Sequence, residues 1–78
     1  MLEVRVKKIL SQLFNVSENE INDETSSDTV SKWDSLTHMN LIVALEDEFK
    51  ISFTDEQMIE MLNYPLILLT VKEALTAS

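Results

Sequence analysis

An all-α fold is what this sequence predicts: a small four-helix bundle of three longer helices and one short one, with a long first loop, and with residues 1–78 as a single domain. Three observations carry that expectation. Glycine is absent and proline occurs once, which removes the turns on which most β-hairpins depend. Apolar residues recur at helical spacing from Leu2 to Leu13. Good capping residues also stand immediately before later stretches of helix-compatible sequence.

The first helix is expected over residues 2–14, where Leu2, Val6, Ile9, Leu10 and Leu13 share a stripe and Arg5, Lys7, Lys8 and Gln12 fall elsewhere. Residues 15–34 have no sustained period and are rich in Ser, Asn, Asp and Glu. A loop that long is usually functional or pinned by its own side chains, here Val16, Ile21, Val30 and Trp33. Ser17 with Glu20 has the spacing to cap one helical turn inside it. Asp34 caps a second helix running to Lys50. Thr54 to Gln57 reads as a capping box opening a short helix to about Leu62, and Thr70 to Glu73 as another opening a last helix to about Ala77. Between these two, Asn63-Tyr64-Pro65 is expected to break the chain, with Leu66 to Leu69 a buried connector.

Composition narrows the function classes. With no Cys and a single His, disulfides, thiolate metal sites and sulfur redox chemistry are excluded, so core packing alone must hold the fold. The net charge of −8 disfavours nucleic acid and anionic membranes as partners. Its distribution is uneven: Arg5, Lys7 and Lys8 face only Glu3 near the start, whereas Lys32, Lys50 and Lys72 face thirteen acids afterwards. A partner with a basic patch would be steered to that acidic remainder. The longest apolar runs, Leu41 to Leu45 and Pro65 to Leu69, are too short to enter or span a bilayer, and a cytoplasmic monomer is the expectation. The sequon Asn15-Val16-Ser17 is then fortuitous.

The second helix is apolar on two sides. His38, Leu41, Ile42, Leu45 and Phe49 form the natural core stripe, while Leu36, Met39 and Val43 form another. Rimmed by Glu46, Asp47 and Glu48, with Asn40 beside it, the second stripe reads as a surface offered to another protein. Periodicity does not decide between that and a stripe covered by the long loop or by residues 64–69. Ser35 opens the helix directly after its cap, where a phosphate on its hydroxyl would lie over free backbone N–H groups. Taken alone, it is equally an ordinary helix-start serine.

Trp33-Asp34-Ser35-Leu36, running into Leu45-Glu46-Asp47-Glu48-Phe49-Lys50-Ile51, resembles the signature of the acyl carrier protein family, D-S-L followed by L-E-(D/E)-E-F. The resemblance extends over essentially the whole chain. It implies that Ser35, flanked by Asp34 and Leu36, carries a covalent 4′-phosphopantetheine placed there by a phosphopantetheinyl transferase. It further implies that Leu36, Met39, Asn40, Val43, Glu46 and Asp47 face partner enzymes, namely acyl-loading ligases, acyltransferases and synthases with basic patches. A chain of this kind does not itself catalyse: the cofactor brings the reactive thiol and the protein brings positioning. Members can shelter a fatty chain between their helices, a role that would fall here to His38, Leu41, Leu45 and Ile59.

Departures from the family pattern point to a specialised pathway. Fatty-acid-synthesis members usually have Gly two residues before the motif's Asp and acids shortly after its Leu; this chain has Lys32, Thr37 and Asn40 there. The G-G-x-S of peptidyl carriers is absent as well. Rival readings are weaker. Asp34, Ser35 and His38 are triad residue types, but no Gly-rich oxyanion element accompanies them, and His38 reads as a core-edge histidine. Asp23, Glu24 and Asp28 lack the spacing and Gly of a calcium loop. The serious alternative is an unmodified acidic module docking through Leu36, Met39 and Val43, with Met58, Ile59 and Met61 able to extend its apolar surface.

Overall fold

The computed structural model describes residues 2–77, and among them the chain forms four α-helices and no strand: α1 (Leu2–Phe14), α2 (Ser35–Phe49), α3 (Asp55–Glu60) and α4 (Tyr64–Ala77). In α1 the stripe Val6, Leu10 and Phe14 is buried, with Leu2, Ile9 and Leu13 packed beside it. It meets Leu41, Ile42, Leu45 and Phe49 of α2, and Ile67, Val71 and Ala74 of α4, in one core. Burying an aliphatic or aromatic side chain of this size stabilises by roughly 1.5–3 kcal/mol. Ten side chains of this core, from Val6 to Val71, are essentially removed from water.

A chain without glycine must still turn at its helix ends. Asn15 follows α1 at φ 57° and Lys50 follows α2 at φ 56°, the left-handed region that usually selects glycine. Asparagine tolerates it through its short polar side chain. Lysine has no such excuse, and its N–H and that of Ile51 both bond Glu46 O, so the end of α2 is held by its backbone. Arg5 adds a clamp from α1: its guanidinium pairs with Glu48 at 2.8 Å and lies 4.4 Å over the Phe49 ring.

The long loop is pinned as its apolar residues suggest. Ile21 and Trp33 are buried, and Val16 and Val30 pack against the core. Its polar residues do the rest: the hydroxyls of Thr25 and Thr29 accept from Asn22 N and Ser26 N, and Asn22 Oδ1 accepts from Glu24 N. Ser27 N donates to Leu62 O and Tyr64 N to Thr25 O, each at 2.9 Å, which fastens the loop to the α3–α4 junction. A single 3₁₀ turn, Glu18–Glu20, forms where one helical turn is expected, but Ser17 caps it without a side-chain hydrogen bond. The Glu20 N–H bonds the Ser17 main-chain oxygen instead.

Two expected boundaries are corrected. The last helix begins at Tyr64, not Thr70, and Leu66 to Leu69 are helical rather than a connector. Pro65 does not break it because a first-turn proline lacks only an N–H that has no partner there. Asn63 supplies the cap, its Oδ1 accepting from Leu66 N at 2.8 Å, and Thr70 is a buried mid-helix residue. The short helix α3 does open with the Thr54–Gln57 capping box, both halves of which form. It stops at Glu60, short of Leu62. No described helix is long and apolar enough to cross a membrane.

Candidate functional site

The site is assembled at the junction of the long loop and α2. Asp34 takes an extended conformation and its Oδ1 accepts from Thr37 N at 2.8 Å, while its carbonyl takes the first helical bond, from His38 N. That N-cap makes Ser35 the first residue of α2. Ser35 is exposed and its hydroxyl makes no hydrogen bond to the described residues. With Thr37 N–H taken by Asp34, the unpaired N–H groups of the first turn and the positive end of the helix dipole remain for a negative group held on Ser35 Oγ.

The bond from Thr37 N–H holds the Asp34 carboxyl below its usual range, with the Thr37 side chain adding to the effect. A depressed folded value contributes stability above the unfolded pKa that is lost as pH falls through the folded one. Asp34→Asn keeps the cap but removes the titration. Its melting temperature is therefore expected to fall less steeply than the wild type's between about pH 5 and pH 2, as followed by circular dichroism. Parallel acid limbs would show that the cap does not depend on charge.

Trp33 anchors the motif from below. Its indole stacks on Phe14 with ring centroids 4.9 Å apart, and its Nε1–H donates to His38 Nδ1 at 3.0 Å. Because an indole nitrogen only donates, Nδ1 is the accepting nitrogen and Nε2 carries the hydrogen, which it gives to Met58 O at 2.7 Å. His38 is thus the core-edge residue its position suggests, half-buried and fully engaged. Its two hydrogen bonds lead to Trp33 and to Met58 rather than to Ser35, so no triad assembles. Sequence patterning places His38 on the core stripe but carries no signal for this relay.

The two stripes of α2 separate cleanly. Leu41, Ile42, Leu45 and Phe49 are buried, whereas Leu36, Met39 and Val43 are 72, 53 and 61% exposed. Neither the loop nor residues 64–69 cover the second stripe. Asn40 and Asp47 are exposed as expected, with Asp47 3.6 Å from Lys50. Glu46 departs from expectation: half-buried, it spends its carboxylate on Phe53 N at 2.9 Å, and Glu48 is spent on Arg5. The rim therefore keeps fewer free acids than spacing suggests. Ile59, expected to line the core, is 70% exposed, while Met61 is buried and Met58 packs against the core. Among the described residues no group of carboxylates or histidines is placed to hold a metal ion.

The site is thus an exposed, unbonded serine at the capped start of a helix, carried on a packed helical bundle. The family model described as "Phosphopantetheine attachment site" matches residues 4–64. The chain is also similar to the solution structure of the holo acyl carrier protein from Geobacter metallireducens, with a TM-score of 0.84 and 32% identity over 96% of this chain and 86% of that one. The chain belongs to the acyl carrier protein family, whose covalent cofactor is 4′-phosphopantetheine.

Proposed function

We propose that Ser35 is the attachment residue for 4′-phosphopantetheine, and that the chain delivers acyl or aminoacyl groups to the enzymes of a cytoplasmic fatty-acid, polyketide or other specialised lipid or metabolite pathway. The observation that carries the first half is the Ser35 hydroxyl, exposed and unbonded at the capped start of α2. When bound, the group supplies a terminal thiol that holds an acyl unit as a thioester. The chain's own residues do the positioning. Asp34 sets the helix start, the free first-turn N–H groups favour the phosphodiester, and Trp33 fixes the loop end against Phe14.

The exposed stripe of Leu36, Met39 and Val43 is the docking face in this reading, with Asn40 and Asp47 beside it and a phosphopantetheinyl transferase and acyl-loading enzymes as the partners. Thr37 and Asn40 stand where acids would otherwise pair with basic synthase patches. Each exposed pair removed forfeits about 0–1 kcal/mol, which favours partners recognised through apolar contacts. Leu36→Ala and Val43→Ala are expected to slow loading or partner turnover several-fold while leaving the melting temperature nearly unchanged, since both side chains already face water. A large loss of stability would return the stripe to the core.

The deciding experiment is incubation of the protein with coenzyme A and a permissive phosphopantetheinyl transferase, followed by intact mass. A gain of one phosphopantetheine unit is expected. No gain would leave an unmodified acidic docking module.

A further inference from the structure

We propose that His38 latches the α2–α3 seam shut, so that the acyl group carried by this protein stays in solvent and the cargo is a short or polar acyl unit rather than a long fatty chain. The inference rests on attachment at Ser35. On a helix, residues three apart are surface neighbours, so Ser35 stands one turn before His38, whose ring reaches α3. An apolar chain rooted at Ser35 gains by leaving water, and that seam is its adjacent route into the core formed by Leu41, Leu45, Met61 and Val71.

One side-chain hydrogen bond, from His38, joins the two helices across this seam. Helix α3 is six residues long, so its last carbonyls outrun their helical partners. Leu62 N–H, which a longer helix would give to Met58 O, bonds Glu60 O at 2.9 Å instead. The His38 Nε2–H fills that vacancy at 2.7 Å, and the other ring nitrogen is held by the buried Trp33 indole at 3.0 Å. A chain entering here must displace the imidazole and strand an indole N–H and a helix-end carbonyl together. Buried groups left so unpaired are expensive. The relay also spans four parts of the molecule, since Trp33 stacks on Phe14 of α1 while His38 joins α2 to α3. Two open clefts of about 450 and 520 Å³ lie elsewhere, neither of them lined by Ser35, His38 or Met58.

The test compares holo protein bearing acetyl and octanoyl arms, each made by the transferase from the corresponding acyl-coenzyme A and verified by mass. For the wild type the two melting temperatures are expected to agree within about 1 °C, with unchanged amide NMR shifts at Leu41, Leu45 and Met61. A rise of roughly 5 °C or more with the octanoyl arm, or shifts confined to those core amides, would overturn the proposal. His38→Ala is expected to open the seam, so that the octanoyl arm stabilises this variant relative to its acetyl form. His38→Gln, which keeps a donor and an acceptor, is expected to restore wild-type indifference to chain length. Octanoyl protection equal in His38→Ala and His38→Gln would deny His38 the latch, and the wild-type comparison stands even where the alanine variant does not fold. If neither arm attaches, it is the Ser35 assignment that fails; if both attach and the longer is protected, only the latch fails.

Discussion

Ser35→Ala is expected to abolish phosphopantetheine uptake completely while leaving the melting temperature within about two degrees of wild type. The two halves of that result have separate causes. Transfer needs an oxygen nucleophile, and alanine has none. Stability needs the cap, which belongs to Asp34 and its bond to Thr37 N, and alanine in the first turn is at least as good a helix former as serine. The Ser35 hydroxyl has no hydrogen bond to lose among the described residues. Intact mass and thermal melting on one sample measure both. Uptake persisting in the variant would move the attachment elsewhere, with Thr37 the next hydroxyl along the same helix. A large drop in melting temperature would instead make Ser35 a structural residue.

Trp33→Ala is expected to cost about 3–5 kcal/mol, the range for removing a large buried aromatic. For 78 residues total stability is of the order of 4–12 kcal/mol, so the variant sits near the unfolding threshold. Its melting temperature should fall by at least about 12 °C. The loss is more than a cavity. The stack on Phe14 disappears, and His38 Nδ1 is left without its donor at the edge of the core. Trp33→Phe restores most of the volume but not the hydrogen bond, so it should recover much of the stability while leaving the His38 ring less firmly held. Urea unfolding of the three proteins checks the order wild type, phenylalanine, alanine. An alanine variant within about 1 kcal/mol of wild type would mean that the indole does not seal the loop against α1.

How far such features could be read ahead depends on the range of the interaction. The cap at Asp34 and the capping box at Thr54–Gln57 lie within one turn of chain, and both were legible because backbone N–H groups at a helix start can be satisfied only locally. The start of α4 is harder to place although its cap is just as local. Asn63 and Pro65 are as much a helix opening as a break, and the apolar run after them hid a periodic core face at Ile67, Val71 and Ala74. Spacing alone makes Glu46 a rim acid, because its partner, Phe53 N, lies beyond the helix end and is brought back only by the turn at Lys50.

Local chemistry written in the chain thus determined an all-helical architecture, a serine at a capped helix start and the two apolar stripes of α2. Whether the second stripe stays uncovered, where Ile59 points, and the relay from Trp33 through His38 to Met58 were decided only in three dimensions. The physical reason is that an amphipathic period fixes how side chains are spaced around one helix, whereas burial and pairing depend on which other surfaces arrive to cover them. Here those surfaces are α1, the end of α3 and a loop whose own polar side chains fold it onto the bundle.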